Sequence, residues 1–120
     1  MPALIKIPTF SDDRGSLSVI EKMLPFAIKR VFFLHDLKAP RGGHGHIRCQ
    51  IALIALSGSI DIYCQTPREN LRFTLDTADK CLLLDPVDWH LIDKFSENVT
   101  VLALASHEFD KEDYFFEKYR

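Results

Sequence analysis

The spacing of turn-forming residues constrains this chain most. Ser11-Asp12-Asp13-Arg14-Gly15, Ser57-Gly58-Ser59, Pro67 to Asn70, Thr77 to Lys80 and Asp85-Pro86-Val87-Asp88 cut it into short segments. Each of these turns is rich in side chains that cap their own backbone or tolerate positive φ. Between and around them lie Ala3 to Phe10 (closed by Pro8), Leu17 to Ile20, Phe26 to Leu34, Ile60 to Cys64, Leu71 to Leu75, Cys81 to Leu84, Trp89 to Phe95 and Val99 to Ser106. These are β-branched and aromatic runs, many alternating apolar with polar, and almost nothing repeats at helical spacing. Segments of this kind every 8–12 residues or so predict an all-β sandwich or barrel. The Ser57-Gly58-Ser59 turn predicts a hairpin. One stretch departs from the pattern: Lys111 to Tyr119, with Asp110 available as N-cap, is expected to form a short C-terminal helix.

At 120 residues without repeat, linker or low-complexity stretch, the chain is expected to be a single domain spanning residues 1–120. The formal charge of −2 and the lack of any nucleic-acid signature argue against a nucleic-acid partner. The longest apolar run, Ile51 to Leu56, is far too short to cross a membrane, and Met1 to Lys6 does not form a signal peptide. A cytoplasmic location follows as the expectation. Cys49, Cys64 and Cys81 are well separated, form no CxxC and sit among apolar residues, so free buried thiols are expected.

The chemistry concentrates in Pro40-Arg41-Gly42-Gly43-His44-Gly45-His46. On an extended segment His44 and His46 point to the same side, because side chains alternate across a strand. The glycines leave little bulk beside the imidazoles and let backbone approach a ligand. Arg41 adds a cation, so the motif suits an anionic ligand that needs proton transfer. His90 follows Pro86 and Trp89 at a strand entrance and is expected to line the same pocket. Arg30 lies in an otherwise apolar strand, where a cation needs a partner or an anionic ligand. Arg14, after the Asp-Asp turn, fits a surface position equally well, and His35 and His107 read as structural or surface residues.

A β-sandwich of this size with HxH on an inner strand has the outline of a cupin jelly roll, whose mouth is a natural small-molecule pocket. Metal-binding cupins carry a glutamate four residues after the second histidine. Here that slot holds Gln50, a poor exchange for a carboxylate on a divalent cation. Three histidines alone can still hold zinc, but imidazole acid–base chemistry without a metal or other cofactor fits the residues better.

Five motifs in order carry a resemblance: Arg14-Gly15-Ser16-Leu17, Pro25-Phe26-x-Ile28-Lys29-Arg30-Val31, Pro40-Arg41-Gly42-x-His44-x-His46, Pro86-x-x-Trp89-His90, and Leu104-Ala105-Ser106…Asp110-x-x-Asp113-Tyr114. Together they resemble the sugar-nucleotide 3,4-ketoisomerases, small cupins acting on dTDP-4-keto-6-deoxyglucose. The resemblance implies a metal-free jelly roll, a homodimer with exchanged N-terminal strands, and migration of the ketone from C4 to C3. The product would feed a 3-aminotransferase of bacterial surface-glycan synthesis.

It also implies roles. His44 would be the carbon base, with His46 shuttling or supporting. Arg41, with Arg30 and Arg48, would hold the diphosphate, while Arg14 and His90 would line the sugar pocket. Arginine in the first motif combined with histidine after the tryptophan resembles the branch giving the galacto product. One departure stands out: where the family commonly has a proton-shuttling tyrosine, this chain has Phe32, and a phenyl ring relays no proton. A 3,5-epimerase of the same nucleotide sugar, a non-catalytic nucleotide-sugar-binding cupin and a metal-dependent cupin are the alternatives.

Overall fold

The computed structural model describes residues 1–119. Twelve strands run through it: β1 (Ala3–Lys6), β2 (Thr9–Asp12), β3 (Gly15–Ser18), β4 (Arg30–Leu34), β5 (Arg41–His46), β6 (Ile51–Ser57), β7 (Ile60–Gln65), β8 (Asn70–Leu75), β9 (Lys80–Leu84), β10 (Trp89–Phe95), β11 (Thr100–Ala105) and β12 (Tyr114–Phe115). Two five-stranded antiparallel sheets, ordered β1-β9-β6-β11-β4 and β12-β5-β10-β7-β8, account for ten of them, and β2 and β3 form a separate hairpin. This is the expected all-β jelly-roll architecture.

The alternation read from the sequence is what closes the sandwich. In β7, Ile60, Ile62 and Cys64 turn inward and are buried, while Asp61 and Tyr63 are partly exposed. The apolar run of β6 does not alternate because both of its faces are covered. Ile51, Leu53 and Ala55 join the core between the sheets, and Ala52 and Ile54 join a second cluster with Ile7, Cys81 and Leu104. Ile20, Met23, Leu24 and Phe26 pack on that second cluster from outside. Each fully buried isoleucine or leucine here contributes about 1.5–3 kcal/mol relative to exposure. All three cysteines are buried and free.

Three local expectations are corrected. The 57–59 turn does not make a hairpin: β6 pairs with β9 and β11, and β7 with β8 and β10, so the chain crosses between sheets at Gly58 (φ 70°). The Ala3 to Phe10 segment is split at Pro8, which cannot donate to a ladder; β1 pairs with β9, and β2 turns away into the hairpin with β3. The C-terminal helix is absent among the described residues. Asp110 does cap, accepting from the Glu112 N–H, but a single 3₁₀ turn, Lys111–Asp113, follows and gives way to β12. Pairing of Tyr114 and Phe115 with β5 outweighs a helix that has no apolar stripe of its own.

Candidate active site

One end of the sandwich encloses a cavity lined by both sheets: Phe32 and Leu34 of β4, Ile51 and Leu53 of β6, the histidines of β5 and β10 with Ile92, and Tyr114 of β12. Arg41 and Gly42 also line it. At about 120 Å³ it is smaller than the roughly 300–1,000 Å³ of sites that swallow a drug-sized ligand. It suits the small reacting ring of a ligand whose remainder lies outside.

Backbone geometry places the imidazoles. His44 of β5 pairs with His90 of β10, and a register shift follows between His90 and Leu91, the kind of irregularity that re-aims a side chain. Gly42 (φ 101°) makes this approach possible, because a Cβ there would stand 2.9 Å from the His90 carbonyl oxygen. The His44 ring centroid lies 5.2 Å from that of His46 and 4.8 Å from that of His90. The HxH spacing therefore does put both rings on one side, and the third joins from the neighbouring strand.

All three imidazoles are held toward their neutral forms. Burial lowers the His44 pKa, with Arg41 adding to the effect against a hydrogen bond to Gly42. Burial and the His44 neighbour bring His46 down to about 4, and burial brings His90 down to about 3. The ring nitrogens of His46 and the Nδ1 of His90 are buried without a hydrogen-bond partner. His46 Nδ1 faces Asp113 at 3.5 Å, whereas His46 Nε2 and His90 Nδ1 are free for a ligand's polar groups.

Asp113, in the 3₁₀ turn, supports this cluster. Its Oδ1 accepts the Arg48 N–H at 2.8 Å and its Oδ2 the Cys49 N–H at 3.1 Å. Oδ2 also stands 3.5 Å from His46 Nδ1. Burial works to raise the Asp113 pKa, but the donors of Arg48 and Cys49 outweigh it and hold the carboxyl below its usual value. A carboxylate facing Nδ1 favours the tautomer with its proton there, leaving Nε2 as the lone pair. His46, Cys49 and Asp113 are also a possible ligand trio for a cation, their ligand atoms lying within 4.8 Å of one another. Gln50, in the slot where metal cupins carry glutamate, donates its amide to Asp85 at 3.3 Å and does not line the cavity.

The remaining candidates separate. Arg41 stands exposed at the rim. Arg30 does not line the cavity; its guanidinium stacks over Phe32 at 4.8 Å and over Phe109 at 5.6 Å, and its Nε is buried without a partner. Arg48 points elsewhere, engaged by Asp110 at 2.9 Å and Asp113 at 3.4 Å. Its expected place on a diphosphate is thus taken by a structural ion pair. Arg14 sits on the β2–β3 hairpin, bonded to Asp12 at 2.6 Å and away from the cavity of its own chain. His35 and His107 also stay outside, bonded to Asp36 and Ser106.

Reading the sequence for site residues passed over Asp113 and Tyr114. Their signal was the fifth motif, Asp110-x-x-Asp113-Tyr114, which carried the family resemblance without a role for either residue. Phe32, singled out as a departure, does face the cavity.

Comparison with known proteins places the chain among sugar-nucleotide enzymes. A TDP-4-oxo-6-deoxy-alpha-D-glucose-3,4-oxoisomerase of Aneurinibacillus thermoaerophilus is 36% identical over 115 residues, covering 92% of this chain and 83% of that protein. The QdtA 3,4-ketoisomerase of Thermoanaerobacterium thermosaccharolyticum in complex with TDP superposes with a TM-score of 0.91 at 34% identity, covering 97% of this chain and 88% of that one. A QdtA double mutant, tyrosine to arginine and arginine to histidine, also with TDP, gives 0.92 at 36%, covering 97% and 87%. A dTDP-4-dehydrorhamnose 3,5-epimerase of Bacillus anthracis and the rmlC epimerase of Mycobacterium tuberculosis share the fold at 14% and 17% identity, with TM-scores of 0.83 and 0.81. The family model described as "FdtA: WxcM-like, C-terminal" matches residues 2–120, and this chain belongs to that family.

Proposed function

We propose that the protein is a sugar-nucleotide 3,4-ketoisomerase that converts dTDP-4-keto-6-deoxy-D-glucose to dTDP-3-keto-6-deoxy-D-galactose without a cofactor. The observation that carries this is the convergence of three imidazoles, His46 and His90 buried and His44 half-buried, all held toward the neutral form, on one small apolar-walled hollow with Arg41 at its rim. The relatives named for this reaction, and the QdtA structures with TDP, support it.

The C3 hydrogen of such a sugar is acidic because it lies α to the C4 ketone. Neutral His44 takes it, and the electron pair forms an enediolate across C3 and C4. Movement of the O3 proton to O4 and return of a proton to C4 leave the ketone at C3. A neutral imidazole is the right base, and the walls of Phe32, Leu34, Ile51, Leu53 and Ile92 keep water from the intermediate. Arg41 holds the diphosphate outside the hollow as a fork-shaped donor. His90 borders the sugar, and Arg30 reinforces the positive potential behind Phe32.

The site is completed by a second copy of the chain. The β2–β3 hairpin pairs with neither main sheet, and its facing residues Phe10 and Leu17 are 65% and 63% exposed. β4 offers an open sheet edge with Val31 and Phe33 exposed. Exchange of the hairpins in a homodimer covers this apolar surface and carries Arg14 toward the partner's sugar pocket. The galacto product is assigned from Arg14 together with His90; arginine and histidine are also the residue types introduced in the QdtA double mutant.

NMR of TDP-4-keto-6-deoxyglucose incubated with the protein in D2O tests the reading. A ketone at C3 with deuterium at C4 is expected in the product, and deuterium at C3 in the substrate that remains. Exchange at C5 with the ketone still at C4 would make it an epimerase, and tight binding with no exchange would make it a binding protein.

A further inference from the structure

Resting on that reading, we infer that Tyr114 is the catalytic residue that carries the proton from O3 to O4. Ketone migration needs this transfer as well as a carbon base, and a hydroxyl relays a proton between neighbouring oxygens as donor and acceptor at once. Among the described residues lining the cavity, Tyr114 alone bears a hydroxyl. Phe32, on the facing sheet, supplies a ring without one.

Tyr114 is held for the task. It pairs across β12–β5 with His46, so its ring stands on the imidazole side of the ladder. Its centroid lies 4.4 Å from that of His46 and 4.7 Å from that of His44. Phe116 and Phe109 flank it at 6.1 and 5.8 Å. The hydroxyls of Tyr63 and Tyr119 are engaged, with Gln65 and with the Val87 carbonyl, each at 2.7 Å. That of Tyr114 has no partner among the described residues, which leaves it for the substrate.

After His44 removes the C3 proton, O4 carries the negative charge and O3 keeps its proton. The phenol O–H donates to O4 while the phenol oxygen accepts the proton from O3, so Tyr114 ends as it began. The charge now on O3 collapses to a C3 carbonyl, and the C3–C4 electron pair takes a proton at C4 from the His44 imidazolium, which returns to its neutral form. Tyr114 therefore belongs to the second half of the reaction.

That division is the test. In D2O, with TDP-4-keto-6-deoxyglucose, Tyr114→Phe should still exchange the C3 hydrogen at near the wild-type rate and bind TDP normally. Ketone migration should fall by about 100-fold or more. Adding Phe32→Tyr to this variant, which returns a hydroxyl to the same cavity from the other sheet, should recover at least tenfold of the loss, roughly half of it on a logarithmic scale. Migration by Tyr114→Phe within a few-fold of wild type would overturn the assignment. So would loss of C3 exchange together with migration, or loss of TDP binding, since either makes the ring a binding or first-step element. A wild-type protein that fails to migrate the ketone sinks the isomerase reading itself, and that result is distinct from all of these.

Discussion

Replacing Asp113 with asparagine perturbs stability and catalysis through one atom. Asp113 is 4% exposed, and its two oxygens serve different donors, the N–H of Arg48 at 2.8 Å and the N–H of Cys49 at 3.1 Å. Asparagine keeps one acceptor and turns an NH2 toward the other N–H. A charge-assisted hydrogen bond contributes about 1.5–3 kcal/mol, and a buried donor left unpaired costs about 1–3 kcal/mol. These overlap, so a net loss of about 2–4 kcal/mol is expected. With a urea m-value of about 2 kcal/mol per molar, the unfolding midpoint falls by about 1–2 M. The single tryptophan, Trp89, is well placed to report it, because its indole N–H donates to the Phe116 carbonyl at 3.1 Å, next to β12. A fluorescence midpoint that moves by less than about 0.3 M would refute this accounting. In fully folded enzyme the same change removes the negative partner of His46 Nδ1, so kcat should fall about 10–100-fold. The acid limb of the pH profile should not move upward, because losing that charge lowers the His46 pKa further.

Three further outcomes are expected. His44→Asn should abolish C3–H exchange, by at least about 10³-fold, while TDP binding persists; retained turnover would remove His44 from its role. Gly45→Ala should detach β12, because the new Cβ would stand 2.7 Å from the Asp88 carbonyl oxygen and collide with the Phe115 ring. A cost of about 2–3 kcal/mol in urea unfolding and parallel loss of migration are expected, and an unchanged midpoint would count against the packing described. Folding stability should fall as the pH drops from 6.5. The unfolded histidines bind protons there, while His46 and His90, depressed to about 4 and about 3, do not. The slope is at most about 1.4 kcal/mol per pH unit for each such histidine, and a flat urea midpoint between pH 7 and 5 would contradict it.

Much of the protein was legible in the residues themselves. Turn chemistry and period-two alternation are local, so the all-β class and most strand positions follow from neighbours in the chain. HxH on a strand yields two imidazoles on one side for the same reason, and Pro86-x-x-Trp89-His90 supplied the third. What local rules do not contain is pairing over distance. That β6 and β7 enter opposite sheets across Gly58 depends on which strands flank each of them. Arg48 looked like a diphosphate ligand until Asp110 and Asp113, more than sixty residues on, met its guanidinium. The tail was the largest surprise, since Asp110 caps a turn as its sequence suggests and the chain then leaves the helix to pair with β5. Capping is decided within a few residues, whereas the burial and ladder hydrogen bonds that outweigh it exist only once the sheets have formed. So the three imidazoles were written in the sequence, while the placement of the carboxylate and phenol beside them arrives only with the tertiary fold.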